Sequence, residues 1–111
     1  MSFNNWQSQM RKGLLNIIIL NVLKHKRCHG YEMVKILDKT MNVSLSAGNI
    51  YPVLARMKKD NLVDSENQVS KDGPPRKYFF LTSAGEAELE KMNQHFENIF
   101  NNLESIKKGV L

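Results

Sequence analysis

Apolar positions along the 111-residue chain recur at helical spacing over most of its length. Phe3, Trp6 and Met10 step by three and four, which predicts a short amphipathic helix, with Gly13 loosening the chain before the next one. In residues 14–23 the set Leu14, Leu15, Ile18, Ile19, Val22 and Leu23 forms one broad face, widened by Ile17 and Leu20. Asn16 and Asn21 interrupt it, so the stretch predicts a buried helix. "KHKRCHG" then breaks the pattern, with Gly30 as a stop signal. A helix over 31–41 is expected to turn Tyr31, Val34, Leu37 and Met41 inward. "NVSLS" reads as a turn ending in Ser46, the expected cap of a helix over 47–61 that buries Ile50, Val53, Leu54 and Met57.

The period then changes. Residues 62–66 and the aromatic "KYFFL" at 77–81 predict two antiparallel strands, joined by an extended, basic-tipped loop. Asp72-Gly73 in that loop is a turn signal, and Pro74-Pro75 cannot donate ladder hydrogen bonds. Thr82 or Ser83 is expected to cap a long last helix, with Glu86 in its first turn. Along that helix Leu89, Met92, Phe96, Ile99, Leu103, Ile106 and Val110 alternate steps of three and four, the a/d spacing of a coiled-coil seam. No other segment is expected to supply so long a helix, so a second copy of the chain is the economical partner. Packing back onto the chain's own first helices is the alternative.

Composition sharpens this outline. Residues 1–82 carry 13 Lys/Arg against 6 Asp/Glu, whereas residues 83–111 carry 3 Lys against 5 Glu. The basic excess sits wholly in the first part and suggests a polyanion partner there, although a surplus kept for solubility gives the same count. The expected organisation is therefore a nucleic-acid-binding unit at 1–82 and a dimerisation helix at 83–111. No apolar run reaches the roughly 18 residues of a membrane span, and the N-terminus shows no signal-peptide pattern. A single cysteine, Cys28, suits a reducing compartment, so a cytoplasmic protein without a membrane partner is expected.

Three helices followed by a two-stranded ribbon is the element order of a winged helix-turn-helix, which offers its third helix to the DNA major groove and its ribbon loop beside it. The fold class expected is mainly α with a small β-ribbon, extended by N-terminal and long C-terminal dimerisation helices. In the helix over 47–61, Arg56, Lys58 and Lys59 can neutralise phosphates, while Ser46, Asn49 and Tyr51 can hydrogen-bond near its start. Lys71, Arg76 and Lys77 add charge on the ribbon. For any one of them a solvated surface position is the competing reading. Pro52 removes a helical hydrogen bond and crowds the carbonyl of Gly48, which predicts a kinked or late-starting helix.

Four segments in this order resemble the PadR family of bacterial transcriptional regulators: "RKGLLNIIILNVL" (11–23), "HGYEMVKIL" (29–37), "SAGNIYPVLARMKKDNLV" (46–63) and "GPPRKYFFLTSAGEAELE" (73–90). The resemblance rests on His29-Gly30-Tyr31, the Gly48 to Pro52 run, Arg76-Lys77-Tyr78 and Leu81-Thr82 followed by Gly85. It implies a homodimer that binds double-stranded DNA and usually represses transcription from a palindromic operator. By the same resemblance Gly48, Asn49 and Tyr51 face DNA together with the ribbon's basic residues. It further implies that Leu89, Met92, Phe96, Ile99, Leu103 and Ile106 join two protomers, and that Phe96 lines a central cavity with Trp6, Met10 and Met92. In the shorter members such a cavity takes flat aromatic effectors. Core packing of Phe96 is the plainer alternative.

His25, Cys28 and His29 lie close in sequence but lack the paired ligand spacing of zinc sites. No nucleophile motif, paired carboxylates or phosphate loop is present, so neither cofactor, metal nor catalysis is expected. A winged-helix module for protein partners and a non-specific architectural DNA binder are the alternative functions.

Overall fold

The structure, a computed structural model, describes residues 1–41 and 47–111, so Ser46 and the turn before it lie outside the described residues. Helix α1 (Phe3–His25) leads into a two-residue strand β1 (Cys28–His29), then α2 (Gly30–Met41) and α3 (Ala47–Lys59). Strands β2 (Val63–Ser70) and β3 (Gly73–Leu81) form the ribbon, and α4 (Ser83–Lys107) closes the chain. This is a mainly helical winged helix-turn-helix fold with a small antiparallel sheet.

Several expectations need correcting. The N-terminal segments form one helix of 23 residues that runs through Gly13, capped by Ser2, whose hydroxyl accepts from Asn5 N–H at 3.2 Å. A single glycine costs a helix only about 1 kcal/mol, and the strong helix formers around it override that. Nothing lies within 4 Å of a Cβ at Gly13, which is exposed. Gly13→Ala is therefore expected to stabilise the protein by about 0.5–1 kcal/mol, read as a higher Tm at fixed protein concentration. The merged α1 is also nearly as long as the 25-residue α4, so α4 is not the sole long helix.

The sheet has three strands in the order β1-β3-β2, because Cys28 and His29 pair with Phe79 and Tyr78. The ribbon is longer and tighter than expected, with Ser70 opposite Gly73 across a turn of Lys71 and Asp72. Gln68 faces Arg76 and Ser70 faces Gly73, so Val69 alone opposes both Pro74 and Pro75. The proline pair thus occupies a bulge, where the missing N–H groups disturb the ladder least.

Helix α3 runs from Ala47 to Lys59 with Pro52 inside it, so the late start expected of Pro52 does not occur. Gly48 and Pro52 are both exposed, so the carbonyl that loses its partner can be hydrated, and Gly48 presents no Cβ to crowd the ring. The helix ends two residues earlier than expected. Asn61, with φ 62°, takes the left-handed conformation that stops it, and Leu62 N–H donates to Met57 C=O at 2.9 Å.

The core gathers Ile19, Leu20 and Leu23 of α1, Met33 and Leu37 of α2, and Ile50, Leu54 and Met57 of α3. Cys28, Val63 and Phe79 of the sheet and Leu89 of α4 complete it. In α2 the buried side chain is Met33, which sits one helical turn before Leu37, while Tyr31 is 64% exposed rather than inward. Thr82 caps α4: its Oγ1 accepts from Gly85 N–H at 2.9 Å and donates to Asn61 C=O at 2.6 Å.

Candidate nucleic-acid interface

The inward set Ile50, Leu54 and Met57 fixes the rotation of α3, so Gly48, Asn49, Tyr51, Arg56 and Lys59 all lie on its exposed side. Lys71, Arg76 and Lys77 are exposed on the ribbon. Between α3 and the ribbon runs an open groove of about 710 Å³, lined among others by Tyr31, Tyr51, Lys58, Arg76 and Lys77. Arg56 and Lys59 of α3 do not line this groove.

Tyr51 is placed by its neighbours. Its ring meets Phe79 at 6.5 Å in an edge-on arrangement and lies over Gly30. A Cβ at Gly30 would stand 2.7 Å from Tyr51 Cζ. Gly30 is therefore not a stop signal: it opens α2 and leaves room for the tyrosine. The glycine before Tyr31 and the tyrosine before Pro52 are two halves of one contact, which chain spacing alone does not reveal.

Two of the expected phosphate-binding side chains are already engaged. Lys58 donates to Ser65 Oγ at 2.9 Å and lies 3.9 Å from Asp64, so it ties α3 to β2. Arg76 Nη1 lies 2.9 Å from His29 Nε2. His29 is the main element missed by sequence reasoning. It caps α2 by accepting from Glu32 N–H at Nδ1 (3.2 Å), while its own N–H donates to Glu32 Oε1 (3.3 Å). This is a capping box with histidine in place of serine, and a glutamate three residues after His29 was its sequence signal. A neutral imidazole accepts at one nitrogen only, so Arg76 competes with Glu32 N–H for it. Arg76 is exposed, and whether it donates to His29 depends on the imidazole tautomer.

Glu32 also pairs with Lys26 at 2.8 Å. Burial pushes Glu32 up, but Lys26 and the His29 N–H outweigh it and hold the carboxyl below its ordinary value. Burial pushes His29 down from about 6.5, reinforced by Arg76, Lys26 and Lys35 and opposed by Glu32. A lowered histidine pKa favours the neutral form in the fold. Its contribution to stability is full above the unfolded value and lost as pH falls towards the folded one. His29→Asn keeps an acceptor for the cap but cannot titrate. Between about pH 7 and 5.5 the Tm of the variant is expected to fall less than that of the parent, with Glu32 ionised throughout in both. Equal slopes would remove His29 from the explanation.

Arg27 stacks 4.2 Å over the Phe80 ring and pairs with Glu66, fastening the chain before β1 to the ribbon. Cys28 is buried, with its Sγ 3.6 Å from Lys26 C=O, and burial raises its thiol pKa. Among the described residues no group of three or more His, Cys, Asp and Glu could hold a metal ion. No described helix is long and apolar enough to cross a membrane.

On α4, Leu89 is 2% exposed within the single chain and so belongs to its own core rather than to the exposed seam expected of it. Met92 is half-buried beside it. Phe96, Ile99, Leu103 and Ile106 are exposed, as is Phe100, which lies outside the expected seam. Trp6 and Met10 of α1 are also exposed, with the Phe3 and Trp6 rings 5.9 Å apart.

A winged helix that presents a polar, basic third helix beside a charged ribbon defines a class of transcription factor. Residues 19–91 match the PadR-like family of transcriptional regulators. The chain belongs to that family. A PadR-like transcriptional regulator from Bacillus cereus is 34% identical, with a TM-score of 0.81 over 88% of this chain and 95% of that one. The transcriptional regulator YqjI of Escherichia coli is 29% identical over 78% of this chain, which spans 41% of the length of that relative. A structure of Bacillus subtilis PadR in complex with operator DNA shares the fold, at 21% identity and a TM-score of 0.65. It covers 71% of this chain and 46% of that one.

Proposed function

We propose that the protein is a homodimeric repressor that binds a palindromic operator in the cytoplasm. The observation that carries this reading is the groove between α3 and the ribbon, open to solvent and bordered by Lys58, Arg76 and Lys77. Gly48, Asn49 and Tyr51 would read base edges or approach the backbone, Arg56, Lys59, Lys71 and Lys77 would take phosphates, and Arg76 would join them on leaving His29. Ser46, which lies outside the described residues, is kept as a proposed DNA contact on its sequence alone. The Bacillus subtilis relative with operator DNA supports the choice of partner.

Dimerisation is supported by the exposed run from Phe96 to Ile106. Its side chains are about half exposed, a continuous apolar stripe that a lone chain in water leaves uncovered. Two copies joined there would place their α3 helices in successive major grooves, about 34 Å apart. Trp6, Met10 and Phe96, also left uncovered by the single chain, would line the space between copies, where a flat aromatic effector could act. Such a ligand would relieve repression only by preferring a protomer spacing that misfits the operator.

Selection of bound duplexes from a random library at near-physiological salt tests the reading. Enrichment of an inverted repeat with half-sites about one helical turn apart is expected. Retention without sequence enrichment would replace it with an architectural DNA binder. No retention at low salt would leave a protein-binding module.

A further inference from the structure

Asn21 and Asn93 face each other between α1 and α4. Asn21 Nδ2 donates to Asn93 Oδ1 at 2.9 Å, and Asn93 Nδ2 donates back to Asn21 Oδ1 at 3.0 Å. Asn21 Nδ2 also donates to Ile17 C=O at 2.8 Å, which fixes the amide on its own helix. Both residues are half-buried, with Leu20 and Leu89 of the core close by in sequence. We propose that this amide pair is a positioning clamp, which sets the direction in which α4 leaves its domain and thereby the operator half-site spacing. The proposal rests on the dimeric reading above.

Its place on α4 makes the pair suited to this. Leu89 and Met92 pack towards the core, Asn93 follows, and the apolar side chains beyond it, from Phe96 to Ile106, are exposed. The pair therefore holds α4 where it leaves the core. From Asn93 to Lys107 the helix extends about 21 Å at 1.5 Å per residue. A rotation of about 10° at the clamp moves its far end by about 4 Å, close to the 3.4 Å separation of successive base pairs. Small changes of exit angle are thus of the size that shifts operator spacing.

Apolar contacts alone would not define that angle, because they lack direction and tolerate sliding. Two reciprocal hydrogen bonds require both the distance and the rotation. Sliding α4 by about one turn would bring Leu89 or Glu97 opposite Asn21. Leucine offers neither bond, and a carboxylate accepts without donating.

The test uses the full chain and a library of inverted repeats whose spacer varies by single base pairs. For the parent, one spacing is expected to outcompete its neighbours by at least about tenfold. In Asn21→Leu with Asn93→Leu, which fills the same volume with apolar atoms, that ratio is expected to fall below about threefold with the half-site sequence unchanged. Asn93→Ala serves as the second variant should the double one fail to fold, with the same expectation. An unchanged ratio, or a uniform loss of affinity at every spacing with a lower Tm, would overturn the clamp and leave the dimer standing. A parent protein that enriches no spaced repeat would overturn the dimeric reading, and the clamp with it.

Discussion

Alanine at Gly85 is expected to cost more than about 3 kcal/mol, the upper end of overpacking penalties. A Cβ there would stand 1.9 Å from the carbonyl oxygen of Leu62, which is backbone and has no rotamer to escape into. Relief requires the start of α4 to withdraw. That movement would strain Thr82 N–H to Leu62 C=O at 3.1 Å and the Thr82 hydroxyl bonds to Asn61 and Leu62. It would also draw Leu89 out of the core, since it lies one turn further along the same helix. At about 4–8 °C per kcal/mol the Tm should drop by more than about 12 °C. Thermal unfolding of Gly85→Ala beside Gly13→Ala, at equal concentration, checks this, because the two substitutions are chemically identical and expected to act in opposite directions. A loss under about 1 kcal/mol would show that the α3–β2 junction gives way easily.

Reversal of charge at Arg56 and Lys59 carries the second large effect. Both are exposed on α3 and neither holds the fold together through a described ion pair, so stability should change by less than about 0.5 kcal/mol. DNA affinity should fall by at least about a hundredfold at moderate salt, since two attractive phosphate contacts become repulsive. The slope of log affinity against log salt should also flatten by about two. Fluorescence anisotropy on an enriched duplex over a salt series measures both. Unaltered affinity and slope would place the DNA on another face, or would support a protein-binding module. Lys58→Glu is less informative, because Lys58 also ties α3 to Ser65 and its loss mixes binding with stability.

Much of this architecture was legible in the amino-acid sequence, and the reason lies in period. A helix that buries one side repeats its apolar residues every three or four positions. The inward set of α3, the broad face of α1 and the long stripe of α4 follow from spacing without knowledge of what they pack against. Thr82 was legible as a cap because its hydroxyl acts on an N–H three residues away. The local dipeptide chemistry of Asp72-Gly73 marked the ribbon's turn to within a residue. In each case cause and effect lie within one turn or hairpin of chain.

The remainder depended on partners distant in sequence. Strand β1 spans two residues, too few for any period, and exists because Phe79 and Tyr78 offer it an edge. Gly30 reads as a helix stop until Tyr51 is seen over it, and Gly85 reads as an ordinary helix-start residue until Leu62 is seen against it. Spacing could not tell that Leu89 turns to its own core while Phe96 stays exposed, since both occupy the same stripe. Arg76 at His29, Lys58 at Ser65 and Asn21 at Asn93 are pairs separated by 47, 7 and 72 residues. The sequence by itself determined which face of each element is apolar and the basic character of α3 and the ribbon. Only the tertiary structure decided which neighbour each face meets, because side-chain pairing depends on distances in space that no local pattern encodes.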